Sequence, residues 1–541
     1  MKDTEKEVLE ARKAKIKGKI GILLKNKEKY LLSALIIFSV IFKLYYFFVT
    51  IDQAIWWDEG DYLAIAKEFI ANRELPEWWS HFTTIRPLFM PFVWSFSFLI
   101  GLSEPIIRFL TLLIPSILTI LLTYKIGKDL YNKKVGLIAS AMLSVYWVHH
   151  FYTYRLLTDI PALFFGVLSV YFFWSKYITE KKNYGFYLSI FFGVIAFATR
   201  FPLALVLLCI FLYLIITNGL KVFKDKTIWK GIGIGAILLS PYLIYFIYTK
   251  FRLFTFYFGE QAVSIKTPLW QSIKSTLPMI PSLTHGAWFV AMIIGIVSLY
   301  KLFIGFDLVI KQKTKELNAD LFVFLLAIIN LAFYIFIVRA ANDRWLLMFI
   351  FPIFIISARG IDFVTEIIKK YSRILAAIII IIFVIWGMYQ QITHGHNLIM
   401  SKVDSYKEEK LAGLWLKENT PEDTKIITSS IVQNQYYSER QNYDFFSKTV
   451  DLSSCYDIYG RLLETEDCQK KTEEAFRQKV KDISADYMII HVFEPVFTPQ
   501  WAYSYPQRHP GELTPIIGWA DQSNNPILVI YQFNKSAEVF D

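Results

Sequence analysis

Long apolar runs recur through the first 392 residues, and short polar segments separate them. A membrane-spanning helix needs about 20 mostly apolar residues, and most of these runs approach that length. The pattern predicts an α-helical polytopic membrane protein. Its eleven predicted spans lie near residues 31–50, 105–127, 135–151, 157–175, 184–199, 201–217, 231–249, 286–305, 319–338, 345–363 and 372–392.

Lysine clusters between these runs predict the orientation of the spans. If the basic N-terminus is cytoplasmic, alternation puts every cluster on the cytoplasmic side, as the positive-inside rule requires. The apolar stretch Pro87–Gly101 is short, and counting it as a span would reverse the later clusters. We therefore predict an interfacial helix there and a C-terminus outside, with twelve spans as the alternative. The clusters fall in residues 128–134, 176–183, 218–230, 306–318 and 364–371.

Three regions follow from this topology. Residues 1–29 form a basic cytoplasmic N-terminus, and the first apolar run after it is typical of a signal anchor rather than a cleaved signal peptide. Residues 30–392 form the transmembrane domain, in which 52–104 is the first outer loop. Residues 393–541 contain one helical pattern and several short strand-like runs, which predict a small extracytoplasmic α/β domain.

Composition agrees with a multi-pass protein of the cell (plasma) membrane. Hydrophobic residues make up 55% of the chain and charged residues only 19%, less than a soluble chain of 541 residues would carry. The net charge of +11 could indicate nucleic-acid binding. Lys and Arg collect on the cytoplasmic side of membrane proteins whatever their function, so no nucleic-acid partner is expected.

The three cysteines divide between the two predicted domains. Cys209 lies in a span and is expected to serve packing. Cys455 and Cys468 lie in the outer domain, where the compartment permits a disulfide. Such a bridge would close a loop of about 14 residues and contribute roughly 3 kcal/mol in the chain-entropy model.

Carboxylates collect at the predicted outer ends of the spans. Asp58 and Glu59 follow two tryptophans after the first span, although an aromatic belt with ordinary loop acids would also explain that run. Asp159 precedes Pro161 at the start of a span, where it could simply cap the helix. Arg155, four residues earlier, is not needed for a cap and could instead bind an anion beside Asp159.

Arginines collect at the same predicted ends, namely Arg86, Arg200 and Arg344, with Asp343 and Glu260 nearby. Arginine suits forked binding of phosphate oxygens. An outer pocket with carboxylates and arginines would suit a phosphate leaving group and a hydroxyl nucleophile that needs a base. Glu59 and His285 could ligate a divalent metal, although none of the histidine spacings is a zinc signature. The sequence lacks GxxxxGK[ST], HExxH and GxSxG, which argues against ATP-driven transport and serine hydrolysis.

Five motifs occur in order between residues 30 and 365. They are Asp58-Glu59, Arg86-Pro87-Leu88, Thr158-Asp159-Ile160-Pro161, Thr199-Arg200-Phe201-Pro202 and Asp343-Arg344-Trp345-Leu346-Leu347. In order and spacing they resemble the GT-C glycosyltransferases that use polyprenyl-phosphate sugars. The nearest branch is that of the protein O-mannosyltransferases and lipid A aminoarabinose transferases, particularly archaeal-type members with an outer C-terminal domain.

This resemblance implies inverting transfer of a sugar from a polyprenyl (dolichyl-type) monophosphate to an acceptor hydroxyl. Asp58 would be the general base, and Glu59 and Asp159 would orient the acceptor, the donor or a cation. The arginines would bind the lipid phosphate and stabilise its growing charge. The family includes metal-dependent members, so a divalent ion could take part. The acceptor could be a protein, a lipid or a lipid-linked glycan.

The chain departs from the family pattern at two of these motifs. One proline follows Arg86, where the family often has two. Asn342-Asp343 precedes Arg344-Trp345, where the family usually has Lys or His before Arg-Tyr. Two other function classes remain as alternatives. A transporter or flippase would place its charges near the bilayer midplane, and a scaffold would need only the outer domain.

Overall fold

The computed structural model describes residues 28–71, 86–249, 252, 267–305, 314–456 and 462–536. Glu260, residues 1–27 and most of the lysine cluster at 306–318 lie outside these ranges. The chain divides into two compact units, one of Met1–Ile51 with Ser80–Met400 and one of Asp52–Trp79 with Ser401–Asp541. The first part of the predicted outer loop therefore groups with the C-terminal residues.

The first unit is helical in its described part. Nine helices there are long and apolar enough to cross a membrane, and each overlaps a predicted span. They are Glu28–Val49, Glu104–Leu130, Asp159–Thr179, Phe201–Lys224, Lys226–Tyr248, Leu269–Ile304, Lys315–Val338, Arg344–Lys369 and Arg373–Asn419.

The ninth of these helical segments contains a turn and ends in a separate helix. Its 47 residues are more than twice the roughly 20 that a bilayer requires, and turns at residues 403–406 divide them. The part before the turns overlaps the predicted span 372–392 and ends at Lys402. The helix Lys407–Asn419 follows the turns and belongs to the second unit.

Two predicted spans form shorter helices. The predicted span 184–199 is the apolar helix Asn183–Thr199, of 17 residues. The predicted span 135–151 is broken, because Lys133–Val145 ends at Tyr146 and Trp147–Tyr152 begins anew. The total of eleven spans therefore stays a prediction.

The stretch Pro87–Gly101 contains the helix Phe89–Leu99, of 11 residues. At 1.5 Å per residue this helix is about 16 Å long, roughly half the hydrocarbon thickness of a bilayer. The helix is thus too short to span, as the positions of the lysine clusters predict.

Two glycines allow the helices Leu269–Ile304 and Arg344–Lys369 to pack with their backbones in close contact. A Cβ atom on Gly360 would lie 2.4 Å from the backbone nitrogen of Gly295, and a Cβ atom on Gly295 would lie 2.3 Å from the carbonyl oxygen of Ile356. Backbone atoms cannot rotate away as a side chain can, so any larger residue must separate the helices.

We expect Gly360→Ala to destabilise the purified protein by about 1–3 kcal/mol, because the overpacked helices must move apart. Thermal unfolding in detergent measures the effect. Gly233→Ala is the matched control, since its Cβ would meet no atom within 4 Å and alanine favours a helix over glycine. Equal melting temperatures for the two variants would contradict the packing argument.

The described part of the second unit contains a five-stranded sheet and four longer helices. The strands are β1 Lys425–Ile427, β2 Gln441–Tyr443, β3 Tyr487–His491, β4 Leu513–Ala520 and β5 Pro526–Phe533, and the helices are Trp57–Ala71, Lys407–Asn419, Ile431–Ser438 and Glu466–Ile483. The sheet order is β2-β1-β3-β5-β4, in which β1 pairs parallel with β2 and β3, and β5 pairs antiparallel with β3 and β4. The predicted small α/β domain is confirmed.

Alternation along β1 and β3 gives this sheet two buried faces. Ile427 and Met488 belong to one apolar cluster, while Ile426 and Ile489 belong to another. Successive side chains of a strand point to opposite faces, so a helical layer can cover each side. A disulfide joins Cys455 to Cys468, with their Cα atoms 5.3 Å apart.

Candidate active site

A short charged pair of the first unit joins Asp159 and Arg200. A guanidinium nitrogen of Arg200 lies 2.6 Å from a carboxylate oxygen of Asp159, and Asp159 is only 3% exposed. The contact is an ion pair without an aligned hydrogen bond. Asp159 is the first residue of its helix, and Thr158 is the N-cap residue. Capping therefore does not account for Asp159.

Arg200 occupies a break between two helices. The helix Asn183–Thr199 ends before it, a 3₁₀ turn begins at Phe201, and the Arg200 backbone is extended, with φ −157° and ψ 115°. Pro202 lies at the start of the new turn, where its missing N–H costs least. The break frees the side chain from the helix and leaves it beside Asp159.

Asp343 lies between a hydroxyl donor and a backbone donor. The Tyr152 hydroxyl donates to its two carboxylate oxygens at 3.1 and 3.3 Å. The Arg344 N–H donates to one of them at 2.7 Å, so Asp343 caps the turn Arg344–Leu346. Burial raises the pKa of the Asp343 carboxyl, and the nearby charge of Asp159 raises it further. The two carboxylates therefore share one region of the first unit.

The segment that begins at Arg86 is attached close to Arg200. The Leu88 N–H donates to the hydroxyl of Tyr242 at 2.9 Å. That hydroxyl in turn donates to the carbonyl of Ala198 at 3.0 Å, two residues before Arg200. The half-buried Arg86 is thus two residues from a fixed contact with the Arg200 break.

Arg155 is buried within the first unit. It is 2% exposed, and its guanidinium carbon lies 6.0 Å from the centre of the Phe151 ring. Such a position gives the guanidinium an aromatic neighbour that favours a cation. Arg155 lies in sequence between Tyr152 and Asp159, so it belongs to the loop that carries both.

Asp58 and Glu59 belong to the second unit. They lie in the first turn of the helix Trp57–Ala71. Glu59 is 1% exposed and accepts a hydrogen bond from the Trp56 N–H at 2.7 Å, which is one half of a capping box. Glu59 thus has a structural role at the helix start. The catalytic roles of Asp58 and Glu59 stay predictions.

His285 interrupts a helix. Its backbone has φ 51° and ψ 154° within Met279–Ser298, and its ring lies 4.9 Å from that of His394. Glu59 belongs to the other unit. In the part of the chain that the structure describes, no three His, Cys, Asp or Glu side chains form a metal-binding group. A divalent ion held by Glu59 and His285 stays a prediction.

Sequence reasoning missed three residues that the structure associates with these candidates. The hydroxyl of Tyr152 donates to Asp343, and the hydroxyl of Tyr242 accepts a hydrogen bond from the segment that begins at Arg86. The third residue, Lys43, lies fully buried in the first span. Tyrosine is common in this chain, with 32 copies, so neither tyrosine stands out. A lysine within a predicted span is a signal that could have been used, since such charges are usually functional.

Comparison with known proteins finds one family model that matches part of the chain. The model describes dolichyl-phosphate-mannose-protein mannosyltransferases and matches residues 85–245. The matched range contains Arg86, Tyr152, Asp159 and Arg200. No curated protein matches the chain by sequence.

Solved structures match over nearly the whole chain. ArnT from Cupriavidus metallidurans bound to undecaprenyl phosphate superposes with a TM-score of 0.60 at 12% identity, covering 94% of this chain and 99% of that one. Its apo state gives 0.59 at 12% identity, covering 93% and 98%. The archaeal oligosaccharyltransferase AglB from Archaeoglobus fulgidus, in complex with an inhibitory peptide and a dolichol-phosphate, gives 0.55 at 11% identity, covering 95% and 77%.

These matches concern the fold. At these identities they show that the chain shares its fold with ArnT and with the matched 77% of AglB. The predicted fold class, a polytopic helical membrane protein with a small C-terminal α/β domain, is therefore confirmed.

Proposed function

We propose that the protein is a membrane glycosyltransferase that moves a sugar from a polyprenyl monophosphate to an acceptor hydroxyl. The observation that carries this proposal is the group formed by Asp159, Arg200, Tyr152, Asp343 and Arg344. It combines arginines suited to phosphate with two carboxylates at the ends of membrane helices, of which Asp159 is buried and Asp343 is half-buried. The mannosyltransferase family model and the lipid phosphates bound to ArnT and AglB support a lipid-linked donor.

In the proposed reaction the acceptor oxygen attacks the anomeric carbon while the bond from that carbon to the phosphate oxygen breaks. The configuration inverts, and the polyprenyl phosphate leaves with the bonding electron pair. Asp58 takes the acceptor proton, for which its carboxylate must come within hydrogen-bond reach. Arg86, Arg155, Arg200 and Arg344 stabilise the negative charge that grows on the phosphate.

We further propose that the reaction occurs on the extracytoplasmic face of the plasma membrane. The support is the alternation of lysine clusters with the spans. This alternation assigns Asp58, Asp159 and Arg200 to the same side. The acceptor is a protein, a lipid or a lipid-linked glycan that is accessible from that side.

The test supplies purified protein with radiolabelled polyprenyl-phosphate sugars and a membrane extract as the source of acceptors. We expect label transfer by the wild-type protein and a loss of about a hundredfold or more in Asp58→Asn and Asp159→Asn. Asp404→Asn is the matched control, since this carboxylate is highly exposed. Transfer that persists unchanged in both site variants would refute the assignment of these residues.

A transporter or flippase is the second candidate, and one observation favours it. The helix Leu269–Ile304 is interrupted at His285, and transporters often use interrupted membrane helices. Protein reconstituted in vesicles distinguishes the two. Movement of a labelled lipid-phosphate sugar across the bilayer, without transfer to any acceptor, would replace the transferase proposal.

A further inference from the structure

We infer that Lys43 is a positioning residue for the loop Tyr152–Asp159. The inference rests on the proposed function, because it assumes that this loop serves the transfer reaction. Lys43 lies in the helix Glu28–Val49 and its side chain is fully buried. A lysine inside a membrane is costly and is usually retained for function.

Within the part of the chain that the structure describes, the side chain of Lys43 reaches this loop and no carboxylate. Its Nζ atom lies 3.4 Å from the hydroxyl oxygen of Thr153, to which it donates. None of the ion pairs among the described residues includes Lys43, so no carboxylate compensates its burial there. Hydrogen bonds alone compensate a buried charge poorly, so the position is not explained by stability.

A second hydrogen bond joins this loop to Lys43. The hydroxyl of Tyr154 donates to the backbone carbonyl of Lys43 at 3.2 Å. Two consecutive loop residues therefore bind one residue of the first span. The hydroxyl of Thr153 also lies 3.0 Å from that of Ser116, in the helix Glu104–Leu130, so two membrane helices fix the same threonine.

Lys43 contacts Thr153 and Tyr154, which lie in sequence between the candidate site residues Tyr152 and Arg155. Tyr152, which donates to Asp343, immediately precedes Thr153, and Arg155 follows Tyr154. Asp159, which pairs with Arg200, ends the loop. A shift of Thr153 would therefore move the Tyr152 hydroxyl away from Asp343 and also displace Arg155.

A positioning role and a purely structural role predict different changes in stability. Methionine has a length similar to that of lysine and no charge, so Lys43→Met removes a desolvation cost from the interior. If Lys43 positions the loop, the variant should lose activity while its melting temperature stays the same or rises. If Lys43 only stabilises the fold, the melting temperature should fall together with the activity.

The experiment measures transfer kinetics and thermal unfolding of the full chain for Lys43→Met, Thr153→Val and the double variant. We expect kcat to fall about ten- to a hundredfold in each, as for a small displacement of reacting groups. The double variant should have a kcat no lower than that of the more impaired single variant, because both substitutions remove the same hydrogen bond between Lys43 and Thr153. Lys125→Met, at an exposed lysine of another span, is the matched control and should keep wild-type kcat.

Hydrogen exchange of the full chain provides a second measurement that does not depend on activity. Lys43→Met should speed exchange of the backbone amides of residues 153–158, while the strand Tyr487–His491 exchanges as in the wild type. Unchanged exchange in this loop, or wild-type kcat in Lys43→Met, would overturn the inference. A wild-type protein that transfers no sugar would instead refute the proposed function, and the exchange result would still decide whether Lys43 fixes the loop.

Discussion

Arg200→Gln should abolish most of the transfer activity and also weaken the fold. The substitution leaves the carboxylate of Asp159 buried without the guanidinium that lies 2.6 Å away. Breaking a buried ion pair in this way costs about 3–5 kcal/mol. The loss of a cation at the leaving phosphate should lower kcat by a factor of about a hundred or more.

Two further variants separate the two effects. Arg200→Lys keeps the positive charge beside Asp159 but loses the planar fork that matches phosphate oxygens, so it should keep most of the stability and lose activity. The double variant with Asp159→Asn and Arg200→Gln leaves no unpaired charge and should recover stability without activity. Thermal unfolding and radiolabel transfer measure these quantities on the same preparations. Full activity in Arg200→Lys would show that no forked contact with phosphate is needed.

The stability of the second unit should decrease as the pH rises from about 6.5 to about 8. The reason is a fully buried pair, in which the Nε2 atom of His491 lies 3.1 Å from a carboxylate oxygen of Glu409. Burial raises the pKa of Glu409 from 4.5 to about 8, and it lowers the pKa of His491 from 6.5 to about 3. The folded pair therefore binds one proton throughout the range from about pH 3 to about pH 8.

The unfolded chain binds a different number of protons. Above its ordinary histidine pKa of 6.5 it binds none at these two groups, one fewer than the folded pair. Stability then falls with increasing pH by about 1.4 kcal/mol per unit, or roughly 2 kcal/mol between pH 6.5 and 8. Between 4.5 and 6.5 both states bind one proton, so the pair contributes no pH dependence there.

Hydrogen exchange of the strand Tyr487–His491 in the full chain measures this effect at several pH values, after correction for the intrinsic exchange rate. Glu409→Gln removes the carboxyl and should abolish the decrease between pH 6.5 and 8. Glu494→Gln is the control, because burial also raises the pKa of this neighbouring carboxyl, which is half-buried and accepts a hydrogen bond from Tyr406. The same decrease in Glu409→Gln as in the wild type would contradict the assignment.

The sequence predicts the spans well because charge-free runs and lysine positions report directly on the membrane. It does not predict the break at Tyr146 in the span 135–151. The Trp147 N–H that the break frees donates to the side chain of Gln391 at 3.0 Å. A partner 244 residues away satisfies the exposed backbone, and no local pattern contains that information.

The sequence predicts which charged residues belong to the candidate site, but it does not predict which of them contact one another. Asp159 and Arg200 stand out because each is a charge at the edge of an apolar run. Their pairing depends on how the helices pack. The contact between Glu59 and Trp56 could have been predicted, since a glutamate three residues after a helix N-cap commonly accepts its N–H. Lys43 could also have been singled out, since a charge within a predicted span is usually functional, although one lysine barely lowers the hydropathy of its run.

The division of the second unit has a consequence for biosynthesis. Residues Asp52–Trp79 belong to the same compact unit as Ser401–Asp541. The ribosome must therefore synthesise more than 300 further residues after Trp79 before the rest of that unit begins to appear. At 5–20 residues per second, this delay is on the order of a quarter of a minute to a minute. A ribosome that stops early would release a chain with membrane helices but an incomplete second unit, so the helix that carries Asp58 would lack its packing partners. Such fragments should be inactive and open to proteolysis, which couples activity to completion of the chain.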